Sequence, residues 1–349
     1  MGPVSEPTRP ARRGRLARSA AALAALLGLA SYVAFHQVTG SMGTPRCSVG
    51  SGENRYEFTP EQASNAATIS AVGTTRGLPE RAVTIALATA LQESALRNIE
   101  HGDRDSLGLF QQRPSQGWGT PAQIMDPVYS AGKFYEGLEK VPGYSRMPLT
   151  VAAQKVQRSG FPQAYAKHEP DATLLSAALT GRAPAALTCT ASDVEGEPGD
   201  PERVRTELVR AFGETAAPQA VTGGSSAGRS AAGPPVLVVP VRAVAAAGAG
   251  ADERRGWELA QWAVARADEL RVTEVAYGDR VWRASEASGG WEKTSPASSG
   301  ATAGATAGAG SEAGPEGSEA GSDTGSEAGS EGAPAGASAA GTVRIRLAQ

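Results

Sequence analysis

Residues 90–111 read ALQESALRNIEHGDRDSLGLFQ. Their first five letters end a predicted helix that begins at Pro79, because proline suits the first turn of a helix and apolar residues recur after it at helical spacing. The recurring residues are Val83, Ala86, Leu87, Ala90 and Leu91. We therefore expect Glu93 to lie near the carboxyl end of this helix.

Glu93 follows small residues on its own helix face. Thr89, Ala90 and Ala86 lie one and two turns before it, so its carboxylate is expected to emerge from a closely packed helix end. Cleavage of a glycosidic bond requires a carboxylic acid that stays protonated near neutral pH, which proteins obtain by placing a glutamate against an apolar wall. The pattern makes Glu93 a candidate general acid, and the alternative is a glutamate that merely ends a helix.

The surrounding sequence predicts a compact, mainly α domain over residues 47–190. Thr59-Pro60-Glu61-Gln62 is a capping box with proline at the first helical position, and it predicts a helix to about Thr75. Further helices are predicted to start at Asp126, Thr150 and Pro162. The last of them is expected to bend at Pro170.

The two cysteines, Cys47 and Cys189, bracket this predicted domain. Outside the membrane such a pair indicates a disulfide that closes the domain, and two free thiols are the alternative. Neither cysteine belongs to a CxxC motif and the three histidines are scattered, so the sequence predicts no metal site and no cofactor.

The amino-terminal sequence predicts a membrane anchor. Residues 1–18 are rich in arginine, and an uncharged segment dominated by alanine and leucine follows at 19–36. This order predicts one transmembrane helix with a cytoplasmic basic leader and the bulk of the chain outside the cell; a cleaved signal peptide is the alternative. The net charge of -3 does not suggest nucleic acid as a partner.

The carboxyl half changes composition twice. Residues 191–234 are rich in glycine, proline and serine, which predicts a flexible linker with one short helix at 201–212. Residues 235–349 alternate strand and helix patterns, which predicts a small α+β domain. A low-complexity insert at 294–340, in which GSEAG recurs, is expected to be disordered.

Three short motifs resemble those of goose-type lysozymes and soluble lytic transglycosylases. They are Glu93-Ser94, Gly102-Asp103-Arg104 and Gly108-Leu109-Phe110-Gln111, and the resemblance covers roughly residues 59–180. It implies a lysozyme-like domain, with Glu93 as the general acid and Ser94 as a neighbouring hydrogen-bonding group. The run from Gly108 to Gln111, with its Leu109 and Phe110, would form a hairpin-like wall of a saccharide groove.

The same resemblance implies further roles and two departures. Asp103 occupies a place comparable to the aspartates that hold a water in the goose-type enzymes, and Asp105 is a second candidate. Gln112 stands where those enzymes have an aspartate after the groove-wall glutamine. Tyr165 would take the place of the tyrosine in the alanine-tyrosine-asparagine motif of the transglycosylases, but Ala166 replaces the asparagine.

The segment after the hairpin motif combines amide and aromatic side chains, as sugar-binding grooves do. Gln111, Gln112, Gln116, Trp118 and Tyr129 supply this mixture, and core packing is the alternative for Trp118. The implied partner is the glycan strand of peptidoglycan. Three interpretations remain open: a hydrolase or lytic transglycosylase, a binding module of the same fold that does not cut, and an envelope scaffold.

The carboxy-terminal unit weakly resembles a domain appended to some secreted actinobacterial hydrolases. The similarity lies in Gly256-Trp257, Val281-Trp282 and Gly290-Trp291. Relatives of that domain can end in a zinc-binding strand, but the strand predicted here at 341–344 offers no metal ligand. We therefore expect this unit to be non-catalytic.

Overall fold

The computed structural model describes residue 2 and residues 44–158, 162–190, 198–221, 234–242, 250–294 and 341–349. The anchor predicted at 19–36 lies outside the described residues, as do nearly all of the leader and of the insert at 294–340. Within the described ranges, every helix is too short or too polar to cross a bilayer. The chain divides into Met1–Thr44 and Pro45–Gln349, and the second part is one compact unit.

The described residues form helices at almost every predicted position. The α-helices are α1 (Pro60–Thr75), α2 (Glu80–Ser94), α3 (Pro121–Ile124), α4 (Pro127–Glu139), α5 (Leu149–Gln157), α6 (Glu169–Leu179), α7 (Pro201–Phe212), α8 (Ala251–Ala265) and α9 (Ala267–Leu270). Short 3₁₀ helices span Pro114–Gln116, Tyr144–Arg146, Pro162–His168, Glu214–Ala216 and Ala284–Gly289. The capping box predicted at Thr59 is present, with reciprocal hydrogen bonds between Thr59 and Gln62.

Helix α2 is the central element of the helical part. Its residues from Ala82 to Leu91 are all buried, as expected of a helix that is apolar on every side. Helices α1, α4, α5 and α6 pack around it. Because most of its buried residues are small, its neighbours approach closely, and only the two ends of the helix reach the protein surface.

The chain after Pro162 differs from the single bent helix that its sequence predicts. It forms a 3₁₀ helix over Pro162–His168, and α6 then begins at Glu169. Pro170 therefore occupies the first turn of α6, where no backbone N–H is needed for the helix, and it starts the helix instead of bending it.

A three-stranded sheet that the sequence did not predict joins the two ends of the helical part. It consists of β1 (Cys47–Ser51), β2 (Asn54–Phe58) and β3 (Leu187–Cys189), in the order β2-β1-β3 with antiparallel pairing. Cys47 lies directly opposite Cys189, and the predicted disulfide between them is present. The ends of the helical part are thus held by strand pairing and by a covalent bond.

The carboxyl part contains a small antiparallel sheet, as predicted. Its strands are β4 (Gln219–Val221), β5 (Val236–Pro240), β6 (Val272–Tyr277), β7 (Arg280–Arg283), β8 (Glu292–Lys293) and β9 (Thr342–Leu347). Their order is β4-β5-β9-β6-β7-β8. Helix α8 packs on β6 and β9, and Gly256 of α8 touches the ring of Tyr277 so closely that any Cβ there would overlap it.

Helix α8 also packs against α1 and α6, so it lies between the sheet and the helical part. Gln261 of α8 is fully buried at this contact. Its Oε1 accepts hydrogen bonds from the backbone N–H groups of Ala186 (2.9 Å) and Leu187 (3.0 Å), while its Nε2 donates to the carbonyl oxygens of Ala178 (2.7 Å) and Ala183 (3.1 Å). One side chain therefore satisfies four backbone groups of the connection between α6 and β3.

A buried ion pair adds to the same contact. Glu258 of α8 accepts a hydrogen bond from Thr74 of α1 and binds Arg255 (2.8 Å). Burial raises the pKa of Glu258, and the neighbouring guanidinium of Arg255 partly offsets this effect.

Candidate functional site

Glu93 lies in the last turn of α2 and is half-buried. The chain then turns sharply, because Ala95 and Leu96 both adopt left-handed backbone conformations, with φ of 53° and 59°. Such conformations are costly for residues with a Cβ and persist where the surroundings hold them. Here two side chains of α1 hold the turn: Gln62 donates to the carbonyl of Ala95 (2.8 Å) and Asn65 to that of Leu96 (2.8 Å).

The Glu93 carboxylate accepts a hydrogen bond from a buried tyrosine. The Oη of Tyr165 donates to Oε1 of Glu93 at 2.6 Å, and Tyr165 is fully buried. Its 3₁₀ segment is tied to α2 by a second hydrogen bond, 3.2 Å between His168 Nε2 and Gln92 Oε1. Burial lowers the pKa of His168, so the ring is neutral near neutral pH. The structure thus brings Glu93 and Tyr165, which lie 72 positions apart in the sequence, into direct contact.

A tight turn faces the end of α2. Leu107 and Gln112 form an antiparallel bridge with backbone hydrogen bonds of 2.9 and 3.0 Å, which leaves Gly108, Leu109, Phe110 and Gln111 in the turn. Gly108 has a φ of 72° and an ideal Cβ there would lie 2.8 Å from the carbonyl oxygen of Ile124, so glycine is required at this position.

The side chains of Leu109 and Phe110 support this turn from its buried side. Both are fully buried, and the ring of Phe110 stacks on Phe134 with 4.7 Å between centroids. The hydroxyl of Ser94 is also buried and donates to the carbonyl of Leu109 (2.8 Å), while Gln157 donates to the carbonyl of Phe110 (2.8 Å). Ser94 and Gln157 therefore fix the position of the turn relative to Glu93.

Glu93 opens onto a cleft of about 920 Å³. Six of the residues predicted for the site line it: Glu93, Asp103, Gln111, Gln112, Gln116 and Trp118. Of the others, Tyr165 lies behind Glu93, Ser94 and the buried side chains of Leu109 and Phe110 lie behind the turn, and Gly108 is part of the turn itself. A cleft of this volume accommodates a ligand of several hundred daltons.

Gln112 has one buried acceptor without a partner. Its side chain is 1% exposed, and its Nε2 donates to the carbonyl of Ser130 (3.0 Å). Among the described residues, no group donates a hydrogen bond to its buried Oε1. A buried acceptor without a partner is costly, so Oε1 is an energetic cost of this arrangement.

The two aspartates considered as second carboxylates have different environments. The side chain of Asp103 lies at the rim of the cleft and is 91% exposed. Asp105 accepts hydrogen bonds from Nε of Arg113 (2.8 Å) and from the backbone N–H of Ser115 (2.8 Å). The Arg113 guanidinium holds the pKa of Asp105 well below its usual range, so this carboxylate stays ionised and fixed.

Trp118 also lines the cleft and is half-buried. The Oη of Tyr129 donates to its backbone carbonyl (3.2 Å) and so fixes the loop that carries it. A flat aromatic face next to amide groups is suited to a sugar ring.

Among the described residues, no group of three or more His, Cys, Asp or Glu side chains is arranged to hold a metal ion.

The comparisons with known proteins concern another part of the chain. Residues 241–305 match the family described as VldE, C-terminal domain. This match covers less than a fifth of the chain and includes no residue that lines the cleft. No curated protein matches the sequence.

Proposed function

We propose that this protein cleaves the glycan strands of peptidoglycan and that Glu93 is the general acid. The observation that carries the proposal is the position of the Glu93 carboxylate, which accepts a 2.6 Å hydrogen bond from buried Tyr165 and opens onto a cleft lined by Gln111, Gln112 and Trp118. An acid beside amide and aromatic groups is the arrangement that glycoside cleavage requires. The helical part would then be a lysozyme-like domain of the goose type.

In the proposed reaction Glu93 protonates the glycosidic oxygen as the bond to the anomeric carbon breaks. Because Tyr165 donates to Oε1, the transferred proton is carried on Oε2. The hydrogen bond to Oε1 then stabilises the carboxylate that remains.

The environments of the two aspartates favour a lytic transglycosylase over an inverting hydrolase. An inverting hydrolase needs a second carboxylate that activates a water within the site. Asp103 is almost fully exposed, and Asp105 is held by Arg113. In a transglycosylase a hydroxyl of the sugar attacks the anomeric carbon and gives its proton to the Glu93 carboxylate. The product is an anhydro-sugar end, and the acid is regenerated.

A binding module of the same fold that does not cut is the second candidate. It is favoured by Ala166, an exposed residue that stands directly after Tyr165 where the transglycosylases have an asparagine. Such a module would retain the cleft and its amide and aromatic walls. It would differ from the enzyme in releasing no product.

We also propose that the chain is a single-pass protein of the plasma membrane, anchored by residues 19–36, with its amino terminus in the cytoplasm. The disulfide between Cys47 and Cys189 supports an extracellular position, because such bonds persist in oxidising compartments. The carboxyl unit is proposed to support the cleft-bearing part non-catalytically, since α8 packs against α1 and α6.

The experiment is to incubate the purified full-length chain with peptidoglycan and to identify released fragments by mass spectrometry. Anhydro-sugar ends are expected, whereas reducing ends would indicate hydrolysis. Glu93→Gln should abolish release, and the matched control Glu100→Gln, at an exposed glutamate seven residues further along the chain, should retain it. Binding without any release by the wild-type chain would replace the enzyme proposal with the binding module.

A further inference from the structure

The walls of the cleft are unequal in charge. Five cationic residues line it, against the two acidic residues Glu93 and Asp103. The cationic residues are Arg104, Arg113, Lys140, Lys155 and Arg158. Because the whole chain carries a net charge of -3, this excess of positive charge is a local property of the cleft.

Three of these cations form no ion pair with an acidic side chain among the described residues. Arg113 binds Asp105 at 2.8 Å and Arg104 lies 4.0 Å from Asp103. The other three are exposed side chains that form no ion pair within the described part of the chain. We call them the basic rim, and they are Lys140, Lys155 and Arg158.

The basic rim comes from the ends of two different helices. Lys140 caps α4, Lys155 lies in the last turn of α5 and Arg158 caps α5. Cations are stabilised at helix carboxyl ends, which accounts for their places in the sequence. These cations would stabilise their helices whichever way the two helix ends faced. Helix stability therefore does not explain why all three residues line the cleft that contains Glu93.

The glycan strand of peptidoglycan offers a matching charge. Its N-acetylated sugars are neutral, but each muramic acid carries a lactyl group that either ends in a carboxylate or continues into a peptide with carboxylates of its own. A polymer of N-acetylglucosamine has the same backbone without these groups. The amide of Gln112 and the ring of Trp118 can contact either polymer, whereas the basic rim can distinguish them.

We propose that the basic rim binds the carboxylates borne by muramic acid residues, so that the cleft selects an anionic glycan strand over a neutral one. This inference rests on the proposed function, because it assumes a glycan strand in the cleft. The ion pairs between the basic rim and these carboxylates join exposed charges, so salt weakens them. Salt does not affect the neutral contacts to the sugar rings.

The test measures binding by the full-length chain in the Glu93→Gln background, which removes cleavage from the measurement. The ligands are soluble peptide-bearing glycan strands, the same strands after removal of their peptides, and a neutral N-acetylglucosamine oligomer. The rim variant carries Lys140→Gln, Lys155→Gln and Arg158→Gln. A matched control neutralises three exposed cations outside the cleft by Arg205→Gln, Arg254→Gln and Lys293→Gln.

The rim variant is expected to bind peptide-bearing strands about ten-fold more weakly at low salt, with the difference lost at about 0.5 M salt. Its binding of the neutral oligomer should equal that of the control. If the rim variant also binds the peptide-free strands more weakly than the control does, the basic rim binds the lactyl carboxylate. If the difference is seen only with peptide-bearing strands, the basic rim binds the peptide carboxylates. An equal loss for the neutral oligomer, or no loss for any ligand, would overturn the inference.

The outcome is separable from that of the proposed function. If the wild-type chain releases no fragments but the rim variant binds anionic strands more weakly, cleavage is refuted and the charge selection stands. If fragments are released and binding does not depend on the basic rim, cleavage stands and the charge selection is refuted.

Discussion

Gln261 is the side chain whose loss should reveal how strongly the carboxyl unit supports the helical part. Gln261→Met keeps the length and approximate volume of the side chain but removes both its acceptor and its donor. Two of its four hydrogen bonds, to Leu187 and Ala178, are fully buried, and the other two are partly buried. The carbonyl of Ala178 also accepts from the backbone N–H of Gly181 (2.8 Å), so the N–H of Leu187 is the fully buried group that loses its partner. An unpaired buried backbone group costs about 1–3 kcal/mol, so the substitution should destabilise by about 2 kcal/mol.

Thermal unfolding of the full-length chain measures this cost. For a folded part of this size, 1 kcal/mol shifts the midpoint by about 2–4 °C, so Gln261→Met should lower it by roughly 6 °C. Gln116→Met makes the same chemical change at an exposed glutamine and should leave the midpoint within about 2 °C. The two variants therefore separate the loss of buried hydrogen bonds from the effect of a methionine.

A loss of less than about 1 kcal/mol would refute the reasoning, because the buried N–H of Leu187 would then have another partner. Two separate unfolding transitions in the wild-type chain would also contradict it. The contact through α8 predicts that the helical part and the carboxyl sheet unfold together.

Three further predictions concern the site and its frame. Tyr165→Phe removes a hydrogen bond to the proposed acid and should lower fragment release about ten-fold at an unchanged unfolding midpoint, as a timed peptidoglycan assay would show. Because Arg113 lowers the pKa of Asp105, this ion pair stabilises the fold above about pH 4, and the contribution is lost as pH falls through the lowered pKa. Asp105→Asn should therefore lower the free energy of unfolding at pH 7. The variant should then lose less of this free energy than the wild-type chain when the pH is lowered, measured by urea unfolding at several pH values. Replacing Cys47 and Cys189 by alanine should cost about 5 kcal/mol, since the disulfide closes a loop with a sequence separation of 142; a loss below about 1 kcal/mol in denaturant unfolding would contradict this.

The sequence predicted those parts of the fold that local signals specify. Helix α7 begins and ends at the predicted residues because Asp200 caps it and Pro201 occupies its first position. The strands β1 and β3 were missed because CSVGS has no alternating pattern and its partner lies more than 130 residues away. Pairing over that distance leaves no trace in either short segment.

The candidate site was also predicted only in part from the sequence. Glu93, Gln111, Gln112 and Trp118 lie within 26 consecutive residues, and the structure places them around one cleft. Gln62 and Asn65, which hold the turn after Glu93, belong to a different helix and look like ordinary polar residues of that helix. The sequence allowed Arg158 either in the groove or on a solvated helix face, but it missed Lys140 and Lys155, because the convergence of two helix ends depends on packing.

The pairing of Cys47 with Cys189 has a mechanical consequence. When the chain is pulled at residue 46 and residue 190, the force passes through the covalent bond between two neighbouring strands. The 141 residues between the cysteines, with every helix that forms the cleft, then carry none of that load. Tension applied between these two points would thus leave the geometry around Glu93 unchanged, and reduction of one bond would expose that geometry to the full force.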